Sequence, residues 1–241
     1  MNSFTFGNYN SANLHLYIEK RPSPVIPERR KTVYRVAGRD DDLVEDEGCF
    51  NNIPLSYQVG CANIDNNLPN IKAMLAQTGY QTLRDTYRTN GYRRAYLNNA
   101  VAFSEDLLNF GHANIEFSAD PYFYLDSGSV TSDYISQGQN FSNPTQYVAK
   151  PYISVEMVAP KSTDTVVNLS IGSNTYHFTI EKNTAGVMID SMSEVMLRGN
   201  TNVLKYYESD TFPVFEPSTN YVSWTATNPI KIRIKPRWRE I

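Results

Sequence analysis

Apolar residues recur at every second position through much of this chain. Val167, Leu169 and Ile171 alternate with polar neighbours, and so do Tyr176, Phe178 and Ile180. Gly172-Ser173-Asn174 lies between the two runs. A period of two on either side of turn residues predicts a β-hairpin with one buried face. Ile153, Val155 and Met157 in YISVEMVA, and Ile230, Ile232 and Ile234 in the closing IKIRIKPRWREI, repeat the pattern. YVSWTA reads as a further strand. About seven such runs after residue 140 suggest an antiparallel sandwich.

The first half reads as strand and turn as well. TVYRVAG (Thr32–Gly38), YQTLRDTY (Tyr80–Tyr87), YRRAYL (Tyr92–Leu97) and ANIEFSA (Ala113–Ala119) are short, aromatic or β-branched runs. Asn90-Gly91 is a strong hairpin signal between two of them. One segment has helical spacing: in NNLPNIKAMLAQTGY, from Asn66, Ile71, Met74 and Leu75 share a face. Pro69 suits the first turn of that helix and Gly79 its C-terminal cap. From Asp126 to Thr145 the chain turns rich in Ser, Gly, Asn and Gln, which places a domain boundary near residue 140. The expected fold class is mainly β with one short helix, in two domains, 1–139 and 140–241.

Composition narrows the classes. At 241 residues with 41% hydrophobic and 20% charged residues, the chain is long and apolar enough to fold, and 17 Tyr with 11 Phe favour strands. No run reaches the ~20 apolar residues of a membrane helix, and MNSFTFGNYN lacks the pattern of a secretory signal. Cys49 and Cys61 read as free thiols in a reducing cytoplasm, with pairing across a hairpin as the alternative. The last twelve residues carry a net charge of +4 and the remainder -7. A short basic stretch on an acidic body differs from the broad basic face of a general nucleic-acid binder.

The search for chemistry finds no catalytic set. The carboxylates of GRDDDLVEDEG (Gly38–Gly48) lack the spacing of an EF-hand and read as a solvated loop. His112 with Glu116, and His177 with Glu181, are four apart, which on a strand leaves them about 13 Å from each other, too far to share a metal. No serine-hydrolase elbow, phosphate-binding loop or dinucleotide fingerprint occurs. No cofactor and no metal are expected. Prolines 22, 24 and 27, set among Arg21, Arg29, Arg30 and Lys31, lie between two strands. They read either as a stiff extended arm that reaches a neighbour or as a plain surface loop.

Several stretches, in order, resemble the distal tail proteins (Dit) of long, flexible-tailed bacteriophages and their prophages. VAGRDDDLVEDEGCFNN resembles that family's G-R-D-G-x-L turn and the strand after it. NPTQYVAKPYISV resembles the opening of its second domain. MIDSMSEVM and FPVFEPSTNYVSW resemble its I-D-S segment and F-P-x-L-x-P-G-x-N strand. IKIRIKPRWREI resembles its I-x-I-x-P-R-W-R ending. Asp41, Thr145 and Ser218 stand where the family has turn glycines. Asp tolerates positive φ, whereas Thr and Ser tolerate it poorly, so the last two turns are expected to be built differently.

The resemblance implies an N-terminal ring-forming β domain, about 1–139, and a C-terminal galectin-like β-sandwich, about 140–241. It implies a structural virion protein: a homo-hexamer around a channel, at the distal end of the tail, assembled in the host bacterial cytoplasm. Its partners would be the major tail tube protein, the tail-tip hub protein and receptor-binding or baseplate proteins. DNA would pass through without specific binding, and no membrane or enzyme activity is implied. The candidate structural or interface residues, from the residues and the resemblance together, are Pro22, Pro24, Pro27, Gly38, Arg39, Asp40, Pro236, Arg237, Trp238 and Arg239. Two other classes stay open on the residues alone: a carbohydrate-binding tail adhesin that uses the sandwich, and a cell-wall glycosidase.

Within the closing stretch, Pro236 should end the strand pairing because it has no N–H. Trp238 should then be buried as an anchor, with Arg237 and Arg239 paired to carboxylates.

Overall fold

The computed structural model describes residues 1–107 and 109–241. The chain divides into two compact units, Met1–Phe123 and Tyr124–Glu240. The division lies ahead of the Ser- and Gly-rich stretch that was expected to contain it. The reason is hydrogen bonding. Ser132 and Ile135 donate their backbone N–H groups to the carbonyls of Ile234 and Ile232, at 2.8 and 2.9 Å, so the stretch is an integral layer of the second unit.

In the first unit the strands are β1 (Phe4–Phe6), β2 (Tyr9–Asn10), β3 (Leu16–Lys20), β4 (Arg29–Tyr34), β5 (Leu43–Phe50) and β6 (Ile53–Ala62). After helix α1 (Ile64–Leu75) come β7 (Gln81–Asp85), β8 (Arg88–Leu97), β9 (Ser104–Leu107) and β10 (Phe110–Ala119). The main sheet runs β2-β1-β7-β8-β10-β6-β3, with β9 paired to β10. Its inner face is aromatic. The Phe6 and Phe117 ring centroids lie 4.8 Å apart, and Phe4 meets Tyr57 at 5.4 Å. Ile64, Ile71, Met74 and Leu75 of α1 are buried in the same core.

Three local expectations are corrected here. The helix begins two residues before Asn66, so Pro69 sits inside it rather than in its first turn; it ends at Leu75, with Ala76 rather than Gly79 as its cap. Asn90 and Gly91 lie within β8. The turn before β8 is instead held by Asp85, whose Oδ1 accepts from the amides of Tyr87 and Arg88 at 3.0 and 3.1 Å. A side chain that satisfies two donors outcompetes the Asn-Gly signal. The acidic residues Glu45, Asp46 and Glu47 belong to strand β5, not to a loop.

The short strand β11 (Phe123–Leu125) leads into the second unit. There follow β12 (Gln139–Asn143), β13 (Tyr152–Met157), β14 (Thr165–Ile171), β15 (Asn174–Ile180), β16 (Gly186–Asp190), β17 (Val195–Arg198) and β18 (Thr201–Asn202). β19 (Ser218–Ala226), β20 (Ile230–Lys235) and β21 (Arg239–Glu240) complete the chain. Two antiparallel sheets, β12-β19-β14-β15 and β18-β17-β16-β13-β20, share one core. The alternating residues read from the sequence are its centre: Val167, Leu169, Phe178, Ile153, Val155, Ile232 and Ile234 are each 0% exposed. Cys49 and Cys61 are both free.

The two turns that lack the family glycine differ. Thr145 keeps a negative φ and builds its turn from side chains: Asn143 Oδ1 accepts from the Thr145 amide at 3.0 Å and from its hydroxyl at 2.9 Å. Ser218 instead adopts φ +86, the conformation glycine would supply. That expectation is corrected for Ser218. An L-residue in the left-handed region costs on the order of 1–2 kcal/mol. Ser218 is exposed, so its side chain recovers little of that cost. Ser218→Gly is therefore expected to stabilise the second unit by about 1 kcal/mol, partly offset by glycine's greater chain entropy when unfolded. Thermal unfolding should show an increase of about 2–4 °C; an unchanged or lower melting temperature would contradict this account.

Candidate assembly interface

The site residues singled out in the sequence fall into two groups, one in each unit. Pro22, Pro24, Pro27, Gly38, Arg39 and Asp40 lie in an arm of the first unit between β3 and β6. Pro27 is buried just ahead of β4, and the segment from Arg21 to Ile26 runs without regular structure. β4 and β5 then pair only with each other. Their register sets Val33 opposite Val44 and Tyr34 opposite Leu43. Neighbouring positions of a strand face opposite ways, so each face of the hairpin carries an apolar pair. These side chains are 46–54% exposed.

Charge fixes the register of the arm. Arg29 meets Asp46 at 2.8 Å, and the Thr32 hydroxyl donates to Glu47 at 3.1 Å. The Gly48 amide, and after it Arg29, hold the Asp46 carboxyl below its ordinary range. At the tip Gly38 takes φ +81, and Arg39 grips Asp41 with two hydrogen bonds, at 2.7 and 3.0 Å. Exposed ion pairs contribute little, and a lone two-stranded hairpin is marginal in water. The arm therefore exposes apolar surface that its own contacts do not cover.

A cleft opens at the root of the arm. It has a volume of about 160 Å³ and is lined by Arg21, Pro22 and Pro24 of the arm with Tyr57, Asp85, Arg88 and Arg93 of the main sheet. Tyr57 donates to Asp85 at 2.9 Å. Burial first, and Asp85 second, push the Tyr57 hydroxyl well above its ordinary pKa. Sequence reasoning missed this cluster. The cations of YRRAYL were its one legible trace.

Pro236, Arg237, Trp238 and Arg239 close the second unit. β20 stops at Lys235, and Arg237 turns the chain at φ +58. Arg237 binds Asp190 through two hydrogen bonds, at 2.5 and 3.2 Å, and its amide donates to the Gly128 carbonyl at 2.7 Å. Gly128 must be glycine: a Cβ there would lie 2.2 Å from the Trp238 nitrogen. Trp238 is 6% exposed and packs on Phe215, with ring centroids 5.3 Å apart. Arg239 Nε donates to the Val148 carbonyl, at 2.8 Å. Arg233 meets Glu156 and, with Lys231, lies over the Tyr134 ring. Lys231, Arg233 and Arg237 are thus engaged within the second unit.

Among the described residues, no cluster of three or more His, Cys, Asp or Glu is arranged to hold a metal. No described helix is long and apolar enough to cross a membrane.

No protein-family model and no curated protein sequence matches the chain. Solved structures do. The SPP1 Dit (gp 19.1) protein, described as a paradigm of the hub adsorption apparatus in phages that infect Gram-positive bacteria, superposes with a TM-score of 0.70 at 11% identity over 100% of both chains. A chain of the phage P2 baseplate in its activated conformation with Ca gives a TM-score of 0.52 at 10% identity, covering 97% of each chain. The same baseplate with Sr gives 0.52 at 10%, covering 100% of this chain and 98% of the other. At these identities the likeness is one of fold, and it spans both units.

The closing segment yields two expectations. Trp238→Ala should destabilise the second unit by about 3 kcal/mol or more, read as a lower melting temperature; no change would mean the indole is not the anchor. Asp190 gives a pH dependence. Burial pushes its carboxyl up, and Arg237 more than offsets this, so its pKa lies below the ordinary value. A depressed folded value gives stability that is complete above about pH 4 and is lost as pH falls further. Asp190→Asn should flatten that acid limb of the melting-temperature profile.

Proposed function

We propose that this chain is the subunit of a phage distal tail hub. The observation that carries the reading is the fold likeness to a Dit hub protein along the whole of both chains. In this reading six copies close a ring around a channel at the distal end of the tail. The ring joins the major tail tube protein to the tail-tip hub protein and carries receptor-binding or baseplate proteins. DNA passes through the channel and is not specifically bound. The first unit forms the ring and the second is the galectin-like sandwich on its outside. The role is structural, and the protein hydrolyses nothing.

The arm supports the reading on physical grounds. A ring needs two different surfaces per subunit, joined head to tail. A stiff Pro-rich root followed by a hairpin with exposed valine, leucine and tyrosine suits one of them. Partner contacts would bury the apolar pairs that the hairpin leaves in water.

Mass measurement across a concentration series is expected to show hexamers, or stacked pairs of them. Replacing both Val33 and Val44 by Asp should shift the population towards monomer and leave the monomer's melting temperature within about 1 °C, because both side chains are exposed already. A wild-type monomer at every concentration, with no ring after adding tail-tube or tail-tip protein, would overturn the proposal.

A further inference from the structure

One sheet of the second unit is built from strands that hold no Asp, Glu, Lys or Arg. β12, β19, β14 and β15 read QNFSN, STNYVSWTA, TVVNLSI and NTYHFTI. Charged residues make up 20% of the whole chain, and the other sheet of the same unit carries Glu156, Asp190, Arg198, Lys231, Arg233 and Lys235. Protein surfaces are usually about 25–35% charged, which keeps them soluble. Here the core-facing positions are apolar, as in Val167, Leu169 and Phe178, while the positions between them place Asn168, Ser170 and His177 on the outer face. That face is polar without being charged.

Its side chains are ordered in rows across the strands. Asn168 Nδ2 donates to the Thr225 hydroxyl at 3.1 Å, and Asn168 Oδ1 lies 2.6 Å from His177 Nδ1. With the amide so placed, Nδ1 is the donor, and Nε2 of the neutral ring is left as an acceptor. In the next row the hydroxyls of Ser170 and Thr175 are 2.9 Å apart. One row further along β19 stands Tyr221, 53% exposed, with its hydroxyl against Gly138, where a Cβ would lie 2.5 Å away. The face thus offers neutral donors and acceptors beside one open aromatic ring. Four strands at about 4.8 Å spacing make it about 14 Å wide, a breadth that suits a chain of several units.

Chemistry selects the ligand. Nucleic acid and acidic polymers are held by cations, and these strands supply none. Glu208 at the margin, which accepts from the Thr179 hydroxyl at 3.1 Å, would repel them. The centre of a protein interface is rich in aromatic residues, Met and Arg and poor in Ser, whereas here hydroxyls and amides prevail and Val166 is the one outward aliphatic side chain. A neutral sugar has what the face lacks and needs: hydroxyls that both donate and accept, and an apolar C–H face to lay on a tyrosine ring. We infer that the outer face of the β12-β19-β14-β15 sheet binds an uncharged glycan chain, with Tyr221 as the stacking platform and the Thr225-Asn168-His177 row as the hydrogen-bonding rail. The inference stands whether or not the chain closes a ring.

Affinity electrophoresis of the full chain tests this, with dextran, galactan, mannan and glycol chitin as neutral polymers and heparin and alginate as anionic controls. Saturable retardation by at least one neutral polymer is expected, and none by the anionic pair. Raising salt from about 0.05 to about 0.5 M should change it less than about twofold, because no charge is engaged. Tyr221→Ala should weaken retention about tenfold, the scale of one aromatic contact, at an unchanged melting temperature, since the ring is already exposed. Tyr221→Phe, which keeps the ring, should retain most of the affinity. Thr175→Lys, at an exposed position, should lower it by setting a charge into the rows. No retardation by any neutral polymer, stronger retardation by an anionic one, or equal retention of wild type and Tyr221→Ala would overturn the inference. If Tyr221→Ala or Thr175→Lys instead prevents ring formation while no neutral polymer is retained, the face is a protein contact, and the inference falls with the hub reading intact. A wild-type monomer that is still retained supports the inference and counts against the ring alone.

Discussion

Aromatic side chains gathered from distant parts of the chain close both cores. In the first unit Phe4 and Phe6, near the start of the chain, meet Tyr57 and Phe117. In the second, Trp238, near its end, meets Phe215, which stacks on Phe141. Removing one such ring costs about 3–5 kcal/mol, a large share of a domain's net stability of about 5–15 kcal/mol. The ion pairs of the arm are solvated and contribute far less. The rings therefore decide whether the units fold, while the charges set register and surface.

That division explains what the sequence could disclose. Runs of period two, such as Val167-Leu169-Ile171 and Ile230-Ile232-Ile234, were legible because burial on one face of a sheet enforces them. So was the closing segment, because a proline, a tryptophan and two arginines admit few arrangements at the end of a core strand. Local turn signals were less dependable. Asn90-Gly91 lost to Asp85, and Ser218 accepted a strained conformation because the surrounding strands hold it. The cleft was not legible at all. Its residues come from positions 21, 57, 85, 88, 93 and 123. They meet because β6, β7 and β8 belong to one sheet whose strand order departs from chain order, and spacing along the sequence carries no record of that order.

The same magnitudes bear on the basic ending. Five cations in eleven residues look like a binding tail when read as a string. In the fold, Ile230, Ile232 and Ile234 fix one face of β20 in the core, and the facing positions carry Lys231, Arg233 and Lys235. Arg233 and Arg237 are each held by a carboxylate of the same unit, and Lys231 lies over Tyr134. A cation already committed in this way releases few counterions on meeting DNA, so it adds little to a phosphate-driven affinity. The charge of these three cations reads as structural once their partners are named.

The arm presents the opposite balance. Its backbone pairs only with itself, its ion pairs are solvated, and its apolar pairs lie on both faces. Folding of the first unit gains little from it, since the aromatic core closes without any of its residues. Under the proposed hub reading, such a segment has its physical rationale in contacts made elsewhere. The hub reading supplies them: association buries valine and leucine that are otherwise in water, at about 25 cal/mol per Å² removed. That gain exists only in the assembled state, so it favours assembly without stiffening the free subunit.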